Sequence, residues 1–279
     1  MSNKRRIIVW ELVAVSTIAI LSFVVQHLTG DISITLFRFP LNILTLALWL
    51  VVLVWLYRSH HSSQVAQSLL SMRATILSLL LMVALGITFG VQHNPLTTSW
   101  AATLALLFIL SHLVMITLRG WRNGEGKPRI RFILNHLGLA LALGAGFWGA
   151  PDREELRIVA ERDIPTNIAY TKEGHRSVLD YEVAMTDFAI EFFDTGTPSS
   201  FEAKVLIDGK AVTLRVNHPY NRTLSETIYL ISYDGEQPTD ARYCILEVVR
   251  EPWRWVTVAG IAMLIAGAIL MFIQGKNRG

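Results

Sequence analysis

The chain has 279 residues, 52% of them hydrophobic and 17% charged, with a mean hydropathy of +0.42; a water-soluble domain of this length carries more charge. A formal net charge of +3 raises nucleic acid as a partner, but the basic residues gather at the ends of apolar runs, where lipid headgroups are their partners. Cys244 is the single cysteine, which excludes an intrachain disulfide and any CxxC motif for thiol exchange or zinc.

Lys4, Arg5 and Arg6 precede the apolar run Ile7–His27. At about 1.5 Å per residue such a run crosses a hydrocarbon core of about 30 Å. No small-residue cleavage pattern follows, so it reads as a retained helix rather than a signal peptide. Further spans are predicted at Pro40–Tyr57, Ala74–Gln92, Trp100–Leu118, Phe132–Ala150 and Trp255–Gln274, about six in all. The polar stretch His60–Met72 is expected to hold a short interfacial helix, and Gly120–Arg131, with Pro128, to form a turn.

Alternating the spans from a cytoplasmic N-terminus puts Arg58, Arg73, Arg119, Arg122, Lys127, Arg129, Arg131, Lys276 and Arg278 inside with the basic lead, and only Arg38 in the short outer loops. That asymmetry predicts cytoplasmic termini. Trp10, Trp55, Trp100, Trp121, Trp148, Trp253 and Trp255 sit near span ends, where an interfacial belt places them.

Between the fifth and sixth spans, residues 151–252 change character. Charges become frequent, and β-branched and aromatic residues alternate with polar ones. Strands are predicted at Leu156–Ala160, Ile168–Tyr170, Tyr181–Phe193, Ser200–Ile207, Lys210–Val216, Thr227–Tyr233 and Tyr243–Val249. Asp208-Gly209 between two alternating runs predicts a two-residue hairpin. The organisation is therefore a polytopic α-helical membrane domain over 1–150, an extracytoplasmic β-rich domain over 151–252, and a last helix with a cytoplasmic tail over 253–279. The outer domain is expected to be a small antiparallel sandwich or barrel-like sheet, with Cys244 as a small core residue.

No nucleotide loop, hydrolase triad or metalloprotease helix occurs. Glu11, near the inner surface, is the one acid in a span, whereas ion transport places carboxylates mid-span. Asp152, Glu154 and Glu155 read as a solvated entrance to the outer domain. Of eight histidines, His60, His61, His175 and His218 fall in loops or in the outer domain, and His27 and His93 at outer helix ends. His112 and His136 lie one to two turns inside the bilayer from the cytoplasmic face. A neutral imidazole there can ligate haem iron or hydrogen-bond a neighbouring helix, and both readings stand. Ala140 and Gly144 continue the His136 face at i+4 spacing, which makes room for a flat ligand or for close helix packing. Gly138, Ala142, Ala145 and Gly149 read as a packing face, as do Gly260 and Gly267.

The run Asn135-His136-Leu137-Gly138, with Gly149-Ala150-Pro151-Asp152 at the end of the same span, resembles the ResB/CcsB family of cytochrome c biogenesis proteins, in a short form like that of Bacteroidetes. Val212–Pro219 (VTLRVNHP) followed by Ile228–Asp234 (IYLISYD) is similar to a second family block, and Leu246–Gly260 (LEVVREPWRWVTVAG) to the entry of its final span. Gln26 and Ala74-Thr75-Ile76 continue the likeness. The sequence departs from the pattern in its shorter outer domain, at Ser225–Leu230 and at Arg250-Glu251-Pro252.

The resemblance implies a subunit of a System II cytochrome c synthase in the bacterial inner membrane. Its partner would be a CcsA-type protein, its cargo haem b, and its client apocytochrome c. It places a haem axial ligand at His136, the opposite ligand coming from the partner, and implies no catalytic residue in this chain. Two alternatives remain: a membrane b-type cytochrome with His112 and His136 on one haem, and a scaffold that binds no haem.

Overall fold

In a computed structural model of the chain, residues 16–18, 20–91, 98–121 and 129–275 are described. The basic lead, most of the first predicted span, Trp10, Glu11, His93, Arg122, Lys127, Pro128 and the last basic residues lie outside them. The chain divides into two compact units, Asp152–Trp255 and the remainder.

Seven helices are described: α1 (Ser16–Thr29), then α2 (Leu41–Ser59), α3 (Gln64–Leu69), α4 (Met72–Val91), α5 (Trp100–Trp121), α6 (Ile130–Gly149) and α7 (Arg254–Gly275). Among the described residues four are long and apolar enough to cross a membrane, namely α2, α5, α6 and α7, while the apolar stretches Ser16–Thr29 and Met72–Thr88 are shorter. In hydrocarbon each peptide group must find its partner within the helix, so unbroken apolar runs become helices. Large apolar side chains such as Leu48, Val51, Leu80, Val83, Ile261, Ile265 and Phe272 remain exposed along α2, α4 and α7. Lipid accepts such a surface, and water does not. The chain is a membrane protein.

Within the first unit α5 is the most enclosed helix, with Ile109, Leu110, His112 and Met115 at 2% exposure or less. Polar side chains pin its neighbours. The Gln26 Oε1 accepts from the Trp100 N–H at 2.9 Å, which satisfies one of the orphan donors at the start of α5. Buried Asn42 donates from Nδ2 to the Trp148 carbonyl at 3.0 Å, and Trp49 packs on Trp148 with rings tilted by 45° and centroids 4.8 Å apart. The predicted interfacial helix is α3, whose first turn is capped by Ser63 Oγ accepting from the Ala66 N–H. α6 and α7 cross at glycines. A methyl group placed on Gly138 would lie 2.7 Å from the Gly260 carbonyl oxygen, and one on Gly260 would lie 2.7 Å from the Ala142 nitrogen. The small-residue face read from Gly138 and Ala142 is thus a backbone-to-backbone contact.

The second unit is one antiparallel sheet of eight strands in the order β5-β4-β3-β2-β1-β8-β7-β6. Its strands are β1 (Glu154–Glu161), β2 (Thr166–Thr171), β3 (Arg176–Phe192), β4 (Pro198–Ile207), β5 (Lys210–Arg215), β6 (Tyr220–Thr223), β7 (Glu226–Tyr233) and β8 (Tyr243–Arg250). Seven match predicted runs. β6 carries Tyr-Asn-Arg-Thr, too short and polar to show alternation, and forms only by pairing with β7. One face of the sheet supplies a single core, including Leu156, Ile158, Val183, Val205, Leu214, Ile228, Leu246 and Cys244. Eight strands burying one face in one core must curl, and the curl brings Arg222 of β6 over the ring of Tyr181 in β3, strands far apart in the sheet order. The predicted small antiparallel domain is thus one curled sheet. Asp208 and Gly209 both have positive φ, 52° and 72°, and join Ile207 to its partner Lys210. That is the twist-matched hairpin turn Asp-Gly favours.

The curled edge is tied by charge. Glu226, with its side chain 6% exposed, accepts from Arg250 Nε at 2.6 Å and lies 3.3 Å from Arg222 Nη1. The Arg222 guanidinium lies 4.0 Å over the ring of Tyr181. The Tyr181 hydroxyl sits beside Glu226 but makes no well-formed hydrogen bond, and burial, then the Glu226 charge, pushes its pKa up.

Candidate functional site

The two intramembrane histidines occupy α5 and α6, helices that pack against each other. Their local chemistry is alike. His136 Nδ1 lies 2.7 Å from the Phe132 carbonyl one turn earlier in α6, and His112 Nδ1 lies 2.7 Å from the Leu69 carbonyl at the end of α3. A carbonyl only accepts, so each Nδ1 carries a proton, and in the neutral imidazole each Nε2 keeps a lone pair. An imidazole bound to iron is held in this way, one nitrogen fixed by a backbone acceptor and the other offered to the metal.

Their surroundings differ. His136 is half-buried, and its ring is stacked on Phe132 with centroids 3.9 Å apart, which fixes the plane of the imidazole. His112 is 2% exposed, and its Nε2 is sealed from solvent with no hydrogen-bond partner among the described residues. An orphaned buried acceptor costs about 1–3 kcal/mol. The donor set at both positions fits haem iron, and only His136 is partly exposed.

Ala140 and Gly144 continue the His136 face as expected, and α5 covers them. Ala140 packs on the cluster of Ile109, Leu113 and Ile116. A methyl group on Gly144 would meet Leu110 and Trp148 at 3.9–4.0 Å, ordinary contact. These small residues let α5 lie against α6 on that flank. Among the described residues no group of three or more His, Cys, Asp or Glu could hold a metal ion, so iron here would need its opposite ligand from elsewhere or from the second histidine.

Of the remaining histidines, His60 packs against Trp55 with rings tilted by 41° and centroids 4.2 Å apart, and the backbone N–H of His218 donates back to the Arg215 carbonyl. Asp152 accepts from Trp253 Nε1 at 2.8 Å, and Glu155 pairs with Lys172 and Arg153. The hydrogen bond to Lys172 comes first among the causes that hold the Glu155 carboxyl below its usual range. Asp152 is thus held by a neutral indole and Glu155 by two cations. The two backbone partners were not read from the sequence. Phe132 stands four residues before His136, a spacing that could have shown it. Leu69 is 43 residues from His112, and no sequence signal points to it.

Residues 128–242 match the model of the ResB-like family, less than half of the chain. The match contains α6 with His136 and most of the outer sheet, and it bears out the resemblance read from the residues. No curated protein matches the chain. Among solved structures it is similar to cytochrome c haem lyase CcmF, at 15% identity and a TM-score of 0.38. The similarity covers 71% of this chain and 34% of that one, so the chain spans about a third of that protein's length.

Proposed function

We propose that this chain, ResB-like over residues 128–242, is a haem-handling subunit of a membrane cytochrome c synthase. In this reading it takes haem b as cargo and works beside a CcsA-type membrane protein. Its outer domain faces the extracytoplasmic side of the bacterial inner membrane, where haem is attached to apocytochrome c. The observation that carries the proposal is His136. It lies inside the matched segment, with Nδ1–H committed to the Phe132 carbonyl and Nε2 left with a lone pair in apolar surroundings.

The attachment joins a haem vinyl group to a cysteine thiol of the client, and the reacting groups belong to cargo and client. The contribution expected of this chain is to hold and orient. The Phe132 carbonyl and ring keep the His136 imidazole in one tautomer and one plane, so its lone pair is pre-aimed. The α5–α6 packing through Ala140 and Gly144 keeps water from that flank.

Purification of the chain with its partner and comparison with His136→Ala tests the assignment. Loss of the low-spin haem spectrum in the variant is expected, and an unchanged spectrum rejects the ligand. The Nε2 of His112, which has no hydrogen-bond partner among the described residues, favours one second reading, a haem held by both histidines of this chain. In that case the chain purified alone retains bis-histidine haem, and His112→Ala removes it as completely as His136→Ala.

A further inference from the structure

At one end of the outer sheet an open groove of about 460 Å3 is lined by Asp180, Arg222, Glu226 and Arg250, with Thr223 and Ser225 on its rim. The two arginines are not surface side chains free to wander. Arg222 is 21% and Arg250 28% exposed, and both are held from beneath by the buried Glu226, one carboxylate oxygen to each. Arg222 is braced further by the Tyr181 ring. The result is a pair of guanidiniums in fixed positions, with N–H edges turned toward the groove.

What meets those edges is loosely attached. Asp180 straddles the pair, one oxygen 3.5 Å from Arg222 Nη2 and the other 3.6 Å from Arg250 Nη2. Both distances are longer than a charge-assisted hydrogen bond, and the Asp180 side chain is 69% exposed. Glu226 and Asp180 therefore play different parts. The buried carboxylate positions the guanidiniums, while the exposed one only spans them. With Asp180 turned away, two cations face a single anion and the groove is left positive. Planar, forked donors match a carboxylate best, and the Thr223 and Ser225 hydroxyls add neutral donors at the rim.

We propose that this groove is a carboxylate-recognition site, in which Asp180 stands in for the carboxylate of a ligand and is displaced when that ligand binds. The shared chemistry admits two sources, a small free organic acid or the propionate side chains of a tetrapyrrole. None of these residues belongs to the membrane unit, so the site does not depend on the iron ligation assigned to His136.

Calorimetric titration of the full-length protein in detergent with succinate tests it. Saturable binding is expected. Asp180→Asn should tighten it by about 2- to 5-fold, the range for releasing one exposed ion pair, and Arg222→Gln or Arg250→Gln should weaken it at least about tenfold. Asp180 is exposed, so its variant keeps the fold even where an arginine variant, by stranding Glu226, does not. Iron-free protoporphyrin IX and its dimethyl ester separate the sources, because histidine cannot ligate either. Binding of the free acid far above the diester assigns the tetrapyrrole, and equal behaviour beside succinate binding assigns the small acid. Absence of saturable succinate binding in both wild type and Asp180→Asn overturns the proposal. So does affinity that Asp180→Asn leaves unchanged, and so does binding of inorganic phosphate in place of succinate.

Discussion

A backbone carbonyl decides what each intramembrane histidine can do, since it accepts a hydrogen bond from Nδ1 and leaves Nε2 as the nitrogen a neutral imidazole can offer. The outer domain shows the same economy at Asp234. Buried between β7 and β8, it accepts from Arg242 Nε at 2.7 Å and from the Glu236 N–H at 3.2 Å. The Arg242 hydrogen bond is the chief cause holding its carboxyl below the usual range. An unfolded aspartate titrates near about 3.9. The stability Asp234 contributes is therefore fully present above that pH and is lost as pH falls through the lower folded value. Asp234→Asn should melt below wild type at neutral pH, and the gap should narrow steadily in thermal scans taken below about pH 4. A gap that widens on acidification would contradict the assignment.

At the scale of elements, the glycines of α6 fall into two kinds that look identical in a helical plot. Gly138 touches the backbone of α7, where a methyl group has nowhere to go. Gly138→Ala should cost about 1–3 kcal/mol through overpacking, seen as a lower melting temperature in detergent. Gly144 sees only ordinary contacts. Gly144→Ala should be neutral or gain up to about 1 kcal/mol from helix propensity. Equal losses at both sites would show that the helices do not cross where described. In the outer sheet the Asp-Gly hairpin and the alternating strands were legible because turn chemistry and a period of two act locally. β6 was not, because its reason for being a strand is β7. The ion pairs that tie the curled edge join Asp180, Arg222, Glu226 and Arg250, residues from four strands whose association no local pattern encodes. Ser225, Glu226 and Arg250, which lie where the sequence departs from the ResB pattern, line the groove they form.

For the whole molecule, the proposed orientation predicts that the loop after α2 and the outer sheet lie on opposite sides of the membrane. Cys244 makes this testable without removing it. Burial pushes its thiol up to about 12, so it should resist maleimide until the protein is denatured. Single cysteines introduced at exposed Thr195, in the β3–β4 turn, and at exposed His61 then report location. In spheroplasts an impermeant maleimide should label Thr195→Cys and spare His61→Cys. The reverse pattern would invert the proposed orientation, and with it the side on which cargo meets its client.

Length and period of apolar runs were enough, by themselves, to establish a membrane protein with a β-rich domain set before its last helix. They also established most strand positions, because hydrocarbon and a half-buried sheet each impose a one-dimensional rule on the chain. Tertiary structure alone decided that His112 is sealed while His136 is partly exposed, and that two arginines share one buried glutamate. Accessibility and ion pairing depend on residues tens of positions apart becoming neighbours, and a linear pattern carries no record of that distance.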